Sequence, residues 1–197
     1  MVRIAVTGGI GCGKSRLAQH LHSCHIPVCE ADELAHIALV HGGKVYVDIV
    51  KEFGAGVLDV SGEIDRSKLA DIVFRNVAKL EILNGLVHPF VKSEIFSWLE
   101  SFDKSNEKIV AVVIPLLFEA GLETGWDAIV SVGCSSEIQV ERLLGRGLSK
   151  SQCRQRIMAQ MPIEEKMARS DFMIWNNDDL KSFDKKIDDV LKMILES

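Results

Sequence analysis

The chain alternates short runs rich in β-branched residues with longer stretches in which apolar residues recur every three or four positions. The run at residues 109–114 is continuously apolar, as expected for a strand buried on both faces of a sheet. The periodic stretches are typical of amphipathic helices. The predicted strands are residues 2–7, 26–29, 109–114, 128–132 and 172–175, and the predicted helices are 14–24, 135–145, 149–160 and 180–195.

A long insertion, residues 33–103, separates the second predicted strand from the third. It is predicted to be mostly helical, with interruptions at residues 42–43, at residues 54–62 and before Pro89, and it contains no strong strand signal. Elsewhere strands alternate with helices. The pattern therefore predicts an α/β fold with a parallel sheet.

Composition narrows the class of protein. The 197 residues are 47% hydrophobic and 26% charged, which disfavours a disordered or collagen-like chain. The longest uncharged apolar run, residues 109–118, contains Pro115 and is half the roughly 20 residues that a membrane helix needs. The N-terminus lacks the pattern of a secretory signal. Five cysteines without a C-x-x-C spacing favour reduced thiols. We expect a cytoplasmic protein without a membrane segment.

Charge is distributed unevenly along the chain. The net charge of −5 argues against a protein that coats nucleic acid. Residues 142–169, however, carry seven basic and two acidic side chains. This stretch is either a solvated helix face or a local clamp for an anion.

The strongest motif lies between the first strand and the first helix. Residues 8–15 read GGIGCGKS and match G-x-x-x-x-G-K-[ST] in full. Glycines let backbone N–H groups turn towards phosphate oxygens, and the following helix adds its positive end. Lys14 would lie between the β- and γ-phosphates, and the Ser15 hydroxyl would bind Mg²⁺. The motif predicts binding of a magnesium nucleotide.

Three kinds of nucleotide-binding protein can be compared on this basis. A guanine-nucleotide switch needs Asn-Lys-x-Asp, which is absent, and the D-x-x-G at residues 59–62 is interpreted as a turn. A motor ATPase needs an Asp after a buried strand, where this chain has Pro115. A small-molecule kinase remains. It needs a carboxylate for the acceptor hydroxyl and cations over the transferred group, which Asp32 and the basic stretch provide.

At this point the sequence resembles the dephospho-coenzyme A kinase family of P-loop kinases, nearly from end to end. The segments that carry the resemblance are TGGIGCGKS at 7–15, ADELAH at 31–36, LNGLVHP at 83–89, PLLFE at 115–119, RLLGR at 142–146, and Gln160 followed by residues 171–177. Two positions depart from the family pattern. Glu30 replaces an Asp, and Gly147 stands where an acidic residue is expected.

The resemblance implies a reaction and an architecture. The reaction is transfer of the ATP γ-phosphoryl group, with Mg²⁺, to the ribose 3′-hydroxyl of dephospho-coenzyme A, the last step of coenzyme A biosynthesis. The implied fold is a five-stranded parallel sheet of order 2-3-1-4-5, in a chain that is a monomer or a weak homo-oligomer. The implied divisions are a nucleotide-binding core (1–31, 104–138, 170–197), a helical coenzyme A lobe (32–103) and a lid (139–169).

The resemblance also implies roles for individual residues. Catalytic roles fall on Lys14, Asp32 and Arg142. Nucleotide binding falls on Gly9, Ile10, Gly11, Cys12, Gly13, Lys14, Ser15, Arg16, Arg142, Arg146 and Asn176, with Ser15 as the metal ligand. Acceptor binding falls on Thr7, Asp32, His36, Arg66, Lys68, Asn84, His88, Pro115 and Leu116.

Several of these residues have a second interpretation. Asp32 also suits the N-terminus of the helix that follows it. Arg142 and Arg146, one turn apart, either share a ligand or are solvated. Asn84 and the pair at 88–89 either contact the acceptor or fix a helix bend.

Cysteines occur in two sequence contexts that could carry chemistry of their own. His20, His22, Cys24, His25 and Cys29 lack standard zinc spacing, so we do not interpret them as a metal site. Inside the glycine loop, the thiolate of Cys12 is favoured by Lys14 and by the helix N-terminus. We expect an activity that oxidants inhibit and that ATP protects.

Two rival functions remain open. One is a kinase for another small hydroxyl acceptor, such as a nucleoside or a shikimate-like compound. The other is a nucleotide-binding module without turnover.

Overall fold

Five short strands form one parallel sheet in the computed structural model, which describes residues 1–73 and 75–196. The sheet order is β2-β3-β1-β4-β5, and every neighbouring pair is parallel. The strands are β1 (Val2–Gly8), β2 (Val28–Glu30), β3 (Ile109–Val113), β4 (Ala128–Gly133) and β5 (Phe172–Trp175). The predicted α/β class and strand order are confirmed.

The helices of the described residues are, in chain order, α1 (Lys14–Ser23), α2 (Ala31–Leu39), α3 (Tyr46–Phe53), α4 (Arg66–Val73), α5 (Val77–Glu100), α6 (Ser136–Gly145), α7 (Lys150–Met158), α8 (Ile163–Ala168) and α9 (Leu180–Glu196). Among these residues, α1 follows β1, a long helical insertion (α2–α5) follows β2, no helix separates β3 from β4, three helices (α6–α8) follow β4, and α9 follows β5. One 3₁₀ turn, Ala55–Val57, follows α3.

The chain divides into two compact units. Unit 1 comprises Met1–Glu30 and Ser101–Ser197 and contains the whole sheet, whereas unit 2 is Ala31–Glu100. In unit 1 the strand β3 is buried along its full length, and α1 and α9 contribute Leu17 and Phe183 to the same apolar core. Burial of these side chains is the main force that fixes the sheet and its flanking helices.

Unit 2 is built from helices around its own small core. Ile49, Val57 and Leu69 are almost completely buried there. The break predicted at residues 54–62 contains the 3₁₀ turn and a single antiparallel bridge between Leu58 and Ile64. The expectation of a mostly helical insertion is confirmed.

The helix α5 corrects one prediction. An interruption was expected before Pro89, but the helix runs through it from Val77 to Glu100. Proline removes one N–H donor and crowds the carbonyl four residues earlier, here that of Gly85. Val87 and Phe90, on the two sides of the proline, both pack against the core of unit 2. This packing holds the helix together where the local sequence favours a break.

Two further features concern helices. The short helix α8 was not predicted, because residues 163–168 are too few to display a period. None of the helices in residues 1–73 and 75–196 is both long and apolar enough to cross a membrane.

Candidate active site

The glycine loop lies at the carboxyl end of β1 and leads directly into α1. Its backbone requires glycine at two positions in particular. Gly8 has φ +141°, and a Cβ there would lie 2.1 Å from the carbonyl oxygen of Val132. Gly13 has φ +112°, and a Cβ there would lie 2.2 Å from Nδ2 of Asn176. Both positions therefore exclude a side chain by conformation and by space.

Two residues of the motif begin the helix α1. The ammonium group of Lys14 donates to the carbonyl oxygens of Gly8 (2.9 Å) and Gly9 (3.0 Å), so it lies against the loop. Ser15 is exposed in the first turn of the helix. A lysine ammonium group beside the loop suits a phosphate chain. An exposed serine hydroxyl at a helix N-terminus suits a hard metal ion.

Two glutamine side chains hold the loop at Ile10. The backbone N–H of Ile10 donates to Oε1 of Gln160 (2.8 Å), and Nε2 of Gln139 donates to the carbonyl oxygen of Ile10 (2.7 Å). Neither glutamine was predicted as a site residue. Gln160 was part of the family resemblance, which is the signal that could have identified it, whereas no motif marks Gln139.

Arg142 and Asn176 contact the other end of the loop. The guanidinium of Arg142 lies 3.4 Å from the carbonyl oxygen of Gly11 and 3.1 Å from that of Asn176. The Asn176 amide is 4% exposed and donates to the carbonyl oxygen of Cys12 (2.8 Å). The structure therefore brings both predicted residues to the glycine loop.

Arg146 and Arg16 are less closely tied to the loop. Arg146 is exposed and caps the end of α6. Gly147 follows with φ +84°, and its N–H and that of Leu148 bond back to the last turn of the helix. This left-handed ending is a Schellman motif and accounts for the glycine at this position. The side chain of Arg16 forms an ion pair with Asp184 of α9.

Cys12 lies in the loop beside a second cysteine. Its sulfur is 3.3 Å from that of Cys134, which follows β4 and donates its S–H. This hydrogen bond is the largest influence lowering the pKa of Cys12 to about 7, and the charges of Lys14 and Arg142 add to it while burial opposes it. The same contact, together with burial, raises the pKa of Cys134. The contact therefore favours the thiolate form of Cys12 and the protonated form of Cys134.

At the end of β3, a lysine lies near the place where a motor ATPase would carry its aspartate. The carbonyl oxygen of Pro115 accepts hydrogen bonds from Nζ of Lys166 (2.7 Å) and from the hydroxyl of Thr7 (3.3 Å). The Lys166 side chain is completely buried and forms an ion pair with Glu119 at 2.7 Å. Leu116, next to the proline, is exposed. In the sequence, Lys166 counts only as part of the basic stretch 142–169, a candidate anion clamp, whereas the structure buries it against Glu119 and Pro115, the latter 51 positions away.

Unit 2 brings together three of the residues predicted for the acceptor. Asp32 and His36 are exposed on α2, four positions apart and hence on one face of the helix. A guanidinium nitrogen of Arg66, at the start of α4, lies 2.7 Å from Nδ1 of His36. Since arginine can only donate, Nδ1 is the acceptor in this contact. We call these three exposed side chains, of which His36 and Arg66 are in contact, the polar cluster of unit 2.

The remaining predicted residues of unit 2 lie in other environments. The ammonium of Lys68 donates to the carbonyl oxygen of Leu58 (2.7 Å). Asn84 and His88 are half-buried on α5, one turn apart. Burial lowers the pKa of His88 below its usual 6.5.

One group of possible metal ligands lies away from the loop. Donor atoms of His20, Cys24 and Asp188 lie within 4.8 Å of one another. Nε2 of His20 is already 2.6 Å from a carboxylate oxygen of Asp188. His20 and Cys24 belong to the five histidines and cysteines of residues 20–29, whereas Asp188 comes from α9.

The fold and the loop together define a class of protein. A parallel sheet of this order, a complete phosphate-binding loop between β1 and α1, and cationic side chains around that loop are the features of a P-loop kinase.

Comparisons with known proteins identify the family. The sequence model of the dephospho-CoA kinase family matches residues 2–182. A relative from Geobacillus kaustophilus (strain HTA426), named dephospho-CoA kinase, is 42% identical over 175 residues, which cover 88% of this chain and 87% of the relative. The chain therefore belongs to the dephospho-CoA kinase family.

Two solved structures have the same fold over nearly the full length. The crystal structure of TT1252 from Thermus thermophilus is 33% identical, with a TM-score of 0.83, and the match covers 99% of this chain and 96% of that one. Dephospho-CoA kinase from Campylobacter jejuni is 29% identical, with a TM-score of 0.72, and coverage of 98% and 97%.

Proposed function

We propose that the chain transfers the γ-phosphoryl group of ATP to the ribose 3′-hydroxyl of dephospho-CoA and thereby forms coenzyme A and ADP. The observation that carries this proposal is the family match over residues 2–182, a range that includes the glycine loop, Asp32 and Arg142. Neither rival from the sequence is favoured by a specific observation in the structure.

The transfer requires one bond to form and one to break. The 3′-oxygen attacks the γ-phosphorus, the bond between that phosphorus and the β,γ-bridging oxygen breaks, and ADP leaves. The transition state is largely dissociative, so positioning and neutralisation of charge contribute most of the catalysis. We propose that Asp32 orients the hydroxyl and accepts its proton late in the reaction.

The loop residues would act on the phosphates. Lys14 already lies beside the loop carbonyls of Gly8 and Gly9 and would bind between the β- and γ-phosphates. Arg142, which contacts the carbonyl of Gly11, would neutralise charge on the transferred group. Gln139 and Gln160 would act as positioning residues, since each fixes one polar group of Ile10.

Magnesium fits the donor set at the start of α1. Ser15 offers an exposed hydroxyl oxygen there, and the phosphates of the nucleotide would supply the other hard oxygen ligands. Bound Mg²⁺ would neutralise phosphate charge. In this proposal Ser15 would hold the ion, and the nucleotide and water would complete its coordination.

For the acceptor we propose the polar cluster of unit 2. Arg66 presents an exposed guanidinium next to His36, and such a group suits the phosphates of dephospho-CoA. Lys68, Asn84, His88, Thr7, Pro115 and Leu116 complete the proposed acceptor set. In the same proposal, residues 32–103 are the acceptor lobe and residues 139–169 a lid, whose Arg142 and Gln160 already contact the glycine loop.

We further propose that the protein acts in the cytoplasm, as a monomer or weak homo-oligomer that needs no nucleic acid. The five cysteines, all among the described residues, form no disulfide, which suits a reducing compartment, and the net charge is −5.

An acceptor screen tests the function. The purified chain is incubated with MgATP and, separately, dephospho-CoA, a nucleoside, shikimate and water, and ADP formation is followed. We expect rapid ADP formation with dephospho-CoA and at least 100-fold less with the others. Faster turnover with another alcohol would show that this alcohol, and not dephospho-CoA, is the acceptor. If the chain binds ATP but turns over none of the acceptors, it is a nucleotide-binding module.

A further inference from the structure

A pair of cysteine sulfurs lies inside the phosphate-binding loop. Cys12 is completely buried, Cys134 is 2% exposed, and the two sulfur atoms are 3.3 Å apart. Cys12 belongs to the loop after β1, and Cys134 directly follows β4, the strand next to β1 in the sheet. The two residues are 122 positions apart in the chain, so only the fold reveals the contact.

The two sulfurs have different chemical characters. Cys134 donates its S–H, and Cys12 accepts it. Cys12 also precedes the N-terminus of α1 by two positions and is influenced by the charges of Lys14 and Arg142. These influences all favour the thiolate of Cys12, which is the nucleophilic form. Cys134 keeps its proton and is placed as the second, resolving thiol.

We propose that Cys12 and Cys134 form a redox modification site, which a small hydroperoxide converts into a disulfide that inactivates the phosphate-binding loop. In the first step the Cys12 thiolate attacks one oxygen of hydrogen peroxide. The O–O bond breaks, hydroxide leaves, and Cys12 becomes a sulfenic acid. In the second step the sulfur of Cys134 attacks that of Cys12, the S–O bond breaks, and water leaves. The proton of Cys134 leaves in that water, and the hydroxide of the first step takes up the proton that Cys12 lost on ionising. Overall two thiols lose two electrons and two protons, and one peroxide is reduced to two waters.

The geometry is close to that of a disulfide but does not match it. An S–S bond is about 2.05 Å long, so the sulfurs must approach by about 1.2 Å. Bond formation would therefore pull the loop towards the end of β4. The carbonyl oxygen of Cys12 bonds to Asn176 and lies near Arg142, so this movement would disturb the contacts that shape the loop. We expect nucleotide affinity to fall at least tenfold in the oxidised protein.

Burial selects the oxidant. Hydrogen peroxide is little larger than water, whereas glutathione disulfide is a bulky, charged peptide. Because the sulfur of Cys12 is fully covered, we expect peroxide to oxidise the pair and glutathione disulfide to leave it reduced over the same time. A buried pair should react with peroxide but not with glutathione disulfide, whereas an exposed thiol should react with both. The exposed Cys24 is the reference for the second case.

The site is coupled to nucleotide binding if the proposed function holds. A nucleotide seated in the loop would fix the backbone of Cys12 and keep the sulfurs from approaching. We therefore expect MgATP to slow disulfide formation at least fivefold. Formation of the disulfide itself does not depend on the kinase activity.

Mass spectrometry of the peroxide-treated protein is the decisive experiment. We expect the intact mass to fall by two hydrogen atoms. The non-reduced digest should contain a pair of peptides joined through Cys12 and Cys134. Treatment with a dithiol should release both peptides. Cys134→Ser should abolish the linked pair and leave Cys12 with one or more added oxygens. The matched control Cys24→Ser should still form the linked pair.

Three results would overturn the proposal: added oxygens on Cys12 with no link to Cys134 in the original chain, a linked pair that leaves ATP binding unchanged, or equal oxidation rates with peroxide and glutathione disulfide. Failure of the kinase function would appear separately, as a linked pair in a protein that never phosphorylates dephospho-CoA.

Discussion

The glycine loop of unit 1 and the polar cluster of unit 2 carry the two halves of the proposed reaction in different ways. The loop is held by hydrogen bonds donated by Gln139 and Asn176 and one accepted by Gln160, and Gly8 and Gly13 leave no room for a side chain. The cluster consists of exposed side chains on helices, with one hydrogen bond between Arg66 and His36. A site for phosphate depends on a rigid backbone, whereas a site for the acceptor depends on individual side chains.

The largest effect is expected from a change at Asp32, which belongs to the polar cluster of unit 2. We expect Asp32→Asn to lower kcat by about 1,000-fold, since a general base and orienting group is typically worth 10²–10⁴. ATP affinity should stay within about threefold, because the loop is untouched. Steady-state kinetics and nucleotide titration measure the two quantities.

Glu33→Gln is the matched control for that substitution. Glu33 is also acidic, exposed and in the first turn of α2, so it reproduces the change in charge and any effect on the helix. Its kcat should remain within about threefold of the original. Equal losses in the two variants would remove Asp32 from the mechanism.

A change at Arg142 tests the cationic side of the loop. Arg142→Lys keeps the charge but loses the planar group that reaches Gly11 and Asn176 together. We expect kcat to fall by about 100-fold with a smaller rise in KM, since the charge to be neutralised develops in the transition state. Lys150→Arg, an exchange at an exposed position of α7, should leave both parameters unchanged. A rise in KM alone would limit Arg142 to ground-state binding.

Glycine substitutions sharpen the contrast between the two units. Gly13→Ala should lower the free energy of unfolding by about 2 kcal/mol, because it forces a left-handed backbone on alanine and a clash with Asn176. Gly85 lies inside α5, and a Cβ added there would meet open space. Gly85→Ala should therefore raise the free energy of unfolding by about 0.5–1 kcal/mol. Urea denaturation measures both. A neutral Gly13→Ala would show that the loop backbone is adaptable.

The smallest expected effect concerns His88. Burial lowers its pKa in the folded protein below 6.5, so the unfolded chain binds a proton more readily as the pH falls. Stability should therefore be complete above about pH 6.5 and decline below it as the pH approaches the lowered pKa. In His88→Asn this part of the pH dependence should disappear from denaturant titrations. An unchanged slope in the variant would assign the loss to other groups.

The sequence predicts features that depend on a short segment of chain. The loop, the strand before it and the helix after it are continuous in residues 2–24, and the alternation of elements is enough to give the parallel sheet. Pro89 shows the limit of local rules, since packing of Val87 and Phe90 in the core of unit 2 overrides the break that the proline favours.

Contacts between distant segments could not be predicted in this way. Gln139 reaches the loop across 129 positions, and Cys134 reaches it across 122. The buried Lys166 has its partners 51 and 47 positions away, on a segment whose helix is too short to give a pattern. A single lysine, glutamine or cysteine in a sequence gives no sign of such a contact until the fold is known.

Transfer of a labelled phosphoryl group tests the central claim most directly. The chain is incubated with dephospho-CoA and ATP labelled at the γ-phosphorus, and the labelled product is identified by mass spectrometry and ³¹P NMR. The account predicts that the label forms a phosphate monoester at the ribose 3′-oxygen, in equal amount to the ADP released. Label recovered as inorganic phosphate alone, or esterified at another hydroxyl, would contradict it.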